Sequence, residues 1–374
     1  MAAAGLASPE DQRVTWVELF FDLVFVFCIT QVAALFHGHI DASTAGKALL
    51  VFWLVWWAWT QFTWALNAAN TEHAGVQLAT LAATGVAFFL AVGIPRAFGE
   101  SPLGFAVPYV VVRLIGLAVY LAVAWHDPEQ RRAVSVFSLC SLAGLAAVIA
   151  GAMLAGPAQY GCWGIAIVLD FAAARVGAQR EGWNLHPDHF VERHGLVVII
   201  AIGETLIVAA AGLVNAPLTP SAVITGVMAV ALSGALWWSY FRHARHAFEH
   251  AMRSCTGLAR SSMARDAFSL LHFPMLCGIV AVAAGTEMGL AAPAVPLPAA
   301  ARVAIGGGSV LFVCGTALAM ARASGHAMPW RWVGAIIGAL VVILAGGPPA
   351  LSLGIMAAAL LVVGLAEHRQ QTTH

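Results

Sequence analysis

Charge is what this chain of 374 residues has least of: Asp, Glu, Lys and Arg together make up 10% of it, against about 25% in soluble domains. That shortage excludes an ordinary water-soluble enzyme. With 61% hydrophobic residues and a mean hydropathy of +0.85, the chain reads as an integral membrane protein. No excess of either sign exists either: 18 basic and 18 acidic residues cancel, so neither nucleic acid nor an acidic partner is implied. Cysteine is sparse. Cys28, Cys140, Cys162, Cys255, Cys277 and Cys314 are scattered, most of them in apolar runs, with no CxxC and no metal-ligand spacing, and read as small packing residues. No low-complexity segment or soluble domain is present. The N-terminal MAAAGLASPEDQRV lacks a basic n-region, so the first apolar segment is expected to be retained.

Long apolar runs, by contrast, fill the chain. A membrane helix needs about 20 apolar residues, and twelve segments qualify: 15–36, 47–67, 75–95, 105–125, 133–154, 160–177, 194–214, 220–241, 267–289, 300–321, 331–346 and 349–366. Breaks such as GIPRAFGESPLG, NAPLTP, AAPAVPLP and GGPP are rich in Pro and Gly, as turns are. The expected fold is therefore all-α, an integral membrane protein of about 12 transmembrane helices. With both termini on one side, that side gathers fourteen basic residues and the other only Lys47, Arg96 and Arg302, with Arg113 inside a span. The positive-inside rule puts both termini in the cytoplasm, with an even number of crossings. LVWWAWTQ (54–61) resembles ALWWSYFR (235–242), and DLVFVFCITQ (22–31) resembles GLVVIIAIGET (195–205); the offsets are 181 and 173. One duplication would produce them, giving two parallel six-helix repeats. The expected organisation is a tail at 1–14, a first repeat at 15–177, a cytoplasmic linker at 178–193, a second repeat at 194–366 and a tail at 367–374.

An ionisable residue at bilayer depth is costly unless paired or hydrated, which makes each one a site hypothesis. Glu18 and Asp22 share a face of the first helix at i,i+4, so either one is protonated or a cation lies close. Gln31 points about 180° away from Asp22. Arg193 and Glu204 lie on one stripe of the seventh helix, with Glu204 about 16 Å beyond. Asp170 is at similar depth, and Arg113, the one cation deep in a span, is the natural counter-ion for Asp170 or Glu204. His272 reads as a hydrogen-bonded packing histidine, and Glu287 lies near the far end of its helix. Glu18, Asp22, Glu204, His272, Asp170 and Arg113 are thus the leading candidates for a polar path or substrate site, with Arg193, His194, Glu287 and Gln31 behind them. The strip HPDHFVERH (186–194) has no closed ligand set, and Pro187 is expected to break a helix there; no metal and no cofactor are expected. Residues 242–266 read as a topology anchor, and the tryptophans at 53, 56, 57, 59 and 64 as packing against lipid or the bundle.

VELFFDLVFVFCITQ, HGLVVIIAIGET and HFPMLCGIVAVAAGTE together resemble the bacterial low temperature requirement protein A (LtrA) family, over roughly residues 13–366. The resemblance implies a multi-pass inner-membrane protein of unassigned activity and marks Glu18, Phe20, Phe21, Asp22, His194, Gly203, Glu204, His272, Gly278 and Glu287. Arg13 followed by FFD is also similar to twelve-helix, two-repeat endolysosomal potassium channels, although Gly195 stands where their second Asp would be. Three functions stay open: a transporter or ion-conducting protein, a membrane-embedded enzyme acting on an isoprenoid or other lipid, and a structural or regulatory protein of cold adaptation. The partners expected are membrane lipids and an ion, a proton or a small lipophilic ligand; a homodimer is compatible with the sequence.

Overall fold

A computed structural model of the chain describes residues 5–9, 12–125, 127–177, 183–214, 217–326 and 328–371. Among these the chain is all-α, 85% helical with no strand. The helices are α1 (Trp16–Ala34), α2 (Ala42–Ala68), α3 (Ala74–Gly93), α4 (Pro102–Ala124), α5 (Pro128–Leu154), α6 (Gly156–Gly177), α7 (Pro187–Val214), α8 (Pro220–Ser254), α9 (Gly257–Ala291), α10 (Ala299–Ser324), α11 (Pro329–Ala345) and α12 (Pro349–Gln371). Ten are long and apolar enough to cross a membrane. The two that fall short are α11, at 17 residues, and α6, which carries Gln159 and Asp170.

Local chemistry sets the starts. Six helices open on proline, whose missing N–H and fixed φ suit a first turn. Asp127 caps α5 by accepting the N–H groups of Glu129 and Gln130 at 2.9 and 3.1 Å, and Thr219 caps α8 through Ala222 N–H at 3.2 Å. Ahead of α2, the Thr44 backbone N–H donates to Asp41 at 2.8 Å and holds that carboxyl below the usual carboxylate range. Pro187 does not break a helix as the sequence suggests. It begins α7, seven residues ahead of the expected start at 194, so His189, Arg193 and His194 are helical.

The chain divides into two compact units, each drawn from three stretches: residues 1–32, 46–194 and 252–265, and residues 33–45, 195–251 and 266–374. In the first, α2 is the central rod, 83% buried over its most apolar stretch. Its tryptophans pack inside the protein: Trp53, Trp56, Trp57 and Trp59 are all buried, and Trp56 stacks on Trp59 at 4.9 Å. Helices α3 to α6 pack in chain order, with the Trp163 N–H donating to the Val148 carbonyl at 3.0 Å. In the second unit α9 packs on α10, α10 on α11 and α11 on α12, while α12 lies on α8. Small residues permit this closeness, as they do between membrane helices generally; Gly278 of α9 and Gly308 of α10 touch backbone to backbone. Two wide π-helical turns, Tyr240–Ala244 in α8 and Ala264–Leu270 in α9, interrupt the regular coil.

Candidate functional site

The first unit encloses two charged clusters. One grows from the start of α1. Thr15 precedes the helix and Glu18 is its third residue, the T-x-x-E spacing of a capping box. Glu18 reaches back, and Oε2 accepts the Thr15 N–H and hydroxyl, both at 2.9 Å. Thr15→Ala is expected to lower stability by about 1 kcal/mol, with Thr15→Ser close to wild type; unfolding midpoints in detergent check both.

Glu18 Oε1 faces α7. It accepts from an Arg193 terminal nitrogen at 2.8 Å and lies 2.9 Å from His189 Nε2. The other terminal nitrogen of Arg193 donates to Oδ1 of Asp22, which also accepts the Trp59 indole N–H at 2.8 Å. The match is geometric: carboxylates four apart on α1 meet a histidine and an arginine four apart on α7, and the guanidinium fork bridges both acids. Glu18, Asp22, His189 and Arg193 are 0% exposed. The Arg193 guanidinium lies 5.6 Å from the Trp59 ring centroid, and His194 stands edge-on to the same ring at 5.1 Å. The like charges that make Glu18 and Asp22 a poor pair by themselves thus share one cation.

The second cluster surrounds Arg113 of α4. Its three guanidinium nitrogens donate to Gln61, to the Tyr109 hydroxyl at 2.5 Å and to Asp170 of α6 at 3.2 Å. Gln61 returns a bond to the Arg113 carbonyl at 2.8 Å. Trp53 and Trp57 of α2 lie beside Asp170.

The remaining candidates belong to the second unit, apart from Gln31, which is half-buried on α1, and His194. Glu204 is buried on α7, next to a Thr205–Ser233 hydroxyl contact of 2.6 Å. His272 Nδ1 lies 2.8 Å from the Ala267 carbonyl and so donates to it, and Nε2 lies 2.8 Å from the Tyr240 hydroxyl. Glu287 pairs with His37 at 2.6 Å beside a cavity of about 330 Å³ lined by Phe36, Met288, Val295 and Leu297.

Sequence reasoning missed Thr15, Trp59 and His189 in the first cluster, with Asn67, whose amide nitrogen is 2.9 Å from His189 Nδ1, and Gln61 and Tyr109 in the second. T-x-x-E and the four-residue spacing of His189 and Arg193 were the available signals. Other histidines of the 186–194 strip bond within the protein: His186 Nε2 is 2.5 Å from the Ser8 hydroxyl, and His194 Nδ1 is 2.9 Å from the Phe190 carbonyl.

Comparison with known proteins gives this arrangement a family. Residues 13–366 match the family described as bacterial low temperature requirement A protein, LtrA. The chain belongs to the LtrA family. It is also 25% identical over 340 residues to an uncharacterized protein, RA0937, of Rhizobium meliloti (strain 1021), a match covering 87% of this chain and 81% of that one. The matched region of this LtrA chain includes both buried clusters and all ten apolar helices.

Proposed function

We propose that this LtrA protein is a transporter or ion-conducting protein of the bacterial inner membrane, and that the Glu18–Asp22–Arg193 cluster holds the ion it moves or is driven by. One observation carries the reading. Two carboxylates are sunk in an apolar helix with a single guanidinium between them, an arrangement that leaves negative charge over where one acid would have sufficed for packing. Intramembrane ionisable groups of this kind mark ion and proton pathways. The basic residues favour cytoplasmic termini. Removing the buried Arg193 and Arg331 from the fourteen still leaves a large excess over three. The repeat-like segments, with the more polar helix α6 and the short helix α11 counted as spans, fit a twelve-span protein of two parallel halves.

Asp22→Asn and Glu204→Gln are each expected to reduce ion flux in proteoliposomes at least about tenfold while the protein stays folded, the effect typical of a lost acid–base group being about 10²-fold. A second reading, a structural clasp, draws on the complete enclosure of Glu18 and Asp22. Wild-type flux in both variants decides for it.

A further inference from the structure

We propose that Asp22 is a proton-binding site: its carboxyl is held neutral with the proton on Oδ2, while Glu18, one turn away, stays ionised. In naming the ion this rests on the transport reading, although the geometry behind it is independent of flux.

The hydrogen bonds assign the two acids different states. Glu18 is surrounded as an anion should be: the Thr15 N–H and O–H donate to Oε2, Arg193 donates to Oε1, and His189 Nε2 lies 2.9 Å from Oε1. Asp22 is not. Both of its donors, the Trp59 indole and the second Arg193 nitrogen, converge on Oδ1. Oδ2 is buried and has no hydrogen-bond partner among the described residues. One oxygen that accepts twice and one buried with no partner suits a carboxylic acid better than a carboxylate, because an unpartnered neutral O–H costs less to bury than an oxygen that shares a full charge.

The charge count agrees once His189 is fixed. Asn67 of α2 accepts the His186 N–H at 2.8 Å and donates to the His186 carbonyl at 3.1 Å, which sets the direction of its amide. Its nitrogen is then 2.9 Å from His189 Nδ1. That nitrogen can only donate, so Nδ1 offers a lone pair and the single imidazole proton is on Nε2, facing Glu18. His189 is therefore neutral. Against two carboxylates stands one cation, Arg193, and the buried excess of one negative charge is removed by one proton. The groups facing Asp22 are Glu18 from α1, the Trp59 N–H from α2, and Arg193 from α7; His189 meets Glu18, and His194 meets the Trp59 ring instead. A guanidinium and an indole N–H repel a metal cation, which needs a cage of oxygens. A proton needs none.

The test is infrared spectroscopy of the full-length protein in lipid nanodiscs. At neutral pH and in sodium-free buffer, a protonated-carboxyl C=O band that shifts in D2O is expected in wild type. It should vanish in Asp22→Asn and weaken in Glu18→Gln, where Arg193 faces a single carboxyl and no excess negative charge calls for the proton. Trp59→Phe removes one donor from Oδ1 and should move the band to higher frequency, so the site stays testable even where Asp22→Asn fails to fold. Absence of the band in wild type, its survival in Asp22→Asn, an unmoved band in Trp59→Phe, or its loss on adding sodium at constant pH each overturns the proposal. A band that behaves as expected beside wild-type flux in Asp22→Asn removes the transport reading and leaves the proton site standing; missing band with lost flux does the reverse.

Discussion

Arg193→Met should lower the unfolding free energy by about 3–5 kcal/mol, the usual effect of removing one partner from a buried ion pair. Methionine fills much of the space, so the loss measures charge and not volume. Glu18 would keep its two bonds from Thr15, but its other oxygen would retain only the neutral His189. Asp22 would keep one donor, Trp59. Arg193→Lys should lie between, because a point charge cannot fork to two carboxyls as a guanidinium does. The variant combining Arg193→Met with Glu18→Gln and Asp22→Asn should recover most of the deficit, since no uncompensated charge remains. Thermal unfolding in detergent reads all three, and a single Arg193→Met protein as stable as wild type would show that the guanidinium is not what balances these acids.

Gly278→Ala is expected to be at least as damaging, through shape alone. A methyl at residue 278 would stand 2.4 Å from the Gly308 carbonyl oxygen and 2.8 Å from the Phe312 backbone nitrogen. Neither can rotate away, so α9 and α10 would have to part along a contact where dispersion, not water release, holds membrane helices together. The loss should reach or exceed about 3 kcal/mol, the upper end for overpacking, and show as a collapse in the yield of monodisperse protein. Gly307→Ala is the control. One residue away on α10, its new methyl would come no closer than 4.0 Å to Val303, and a better helix former replaces glycine. Equal damage from both changes would mean that helix propensity, not the close crossing, decides.

The apolar segments and their Pro- and Gly-rich breaks were legible because each is a local property of the chain, and each of the twelve expected segments overlaps a helix. The error at α7 came from reading Pro187 only as a breaker. Proline ends a helix that precedes it and equally starts one that follows, and choosing the first sense hid seven helical residues and left Arg193 at the end of the expected linker. Glu18 and Asp22 were conspicuous as acids in an apolar run. What answers them was not, because Arg193 is 175 residues from Glu18 and 171 from Asp22, and no local pattern encodes a pairing at that distance. The same holds for Asp170 and Arg113, 57 residues apart, where only the scarcity of cations at depth suggested a match. The tryptophans of α2 were read as packing against lipid or the bundle; their burial assigns them to the interior, with Trp59 donating to Asp22.

The two π-helical stretches make unit two sensitive to a kind of genetic change that substitution scans overlook. Tyr240 opens one stretch and His272 follows the other by two residues, and the hydroxyl–imidazole contact joins the two helices there. Each residue of an α-helix turns the chain by about 100°, and a π turn takes up one residue more than a regular turn. Deleting one codon within 264–270 would therefore let the coil close normally while swinging His272 and everything after it around the axis relative to what comes before. Within these stretches, chain length works as an angular setting.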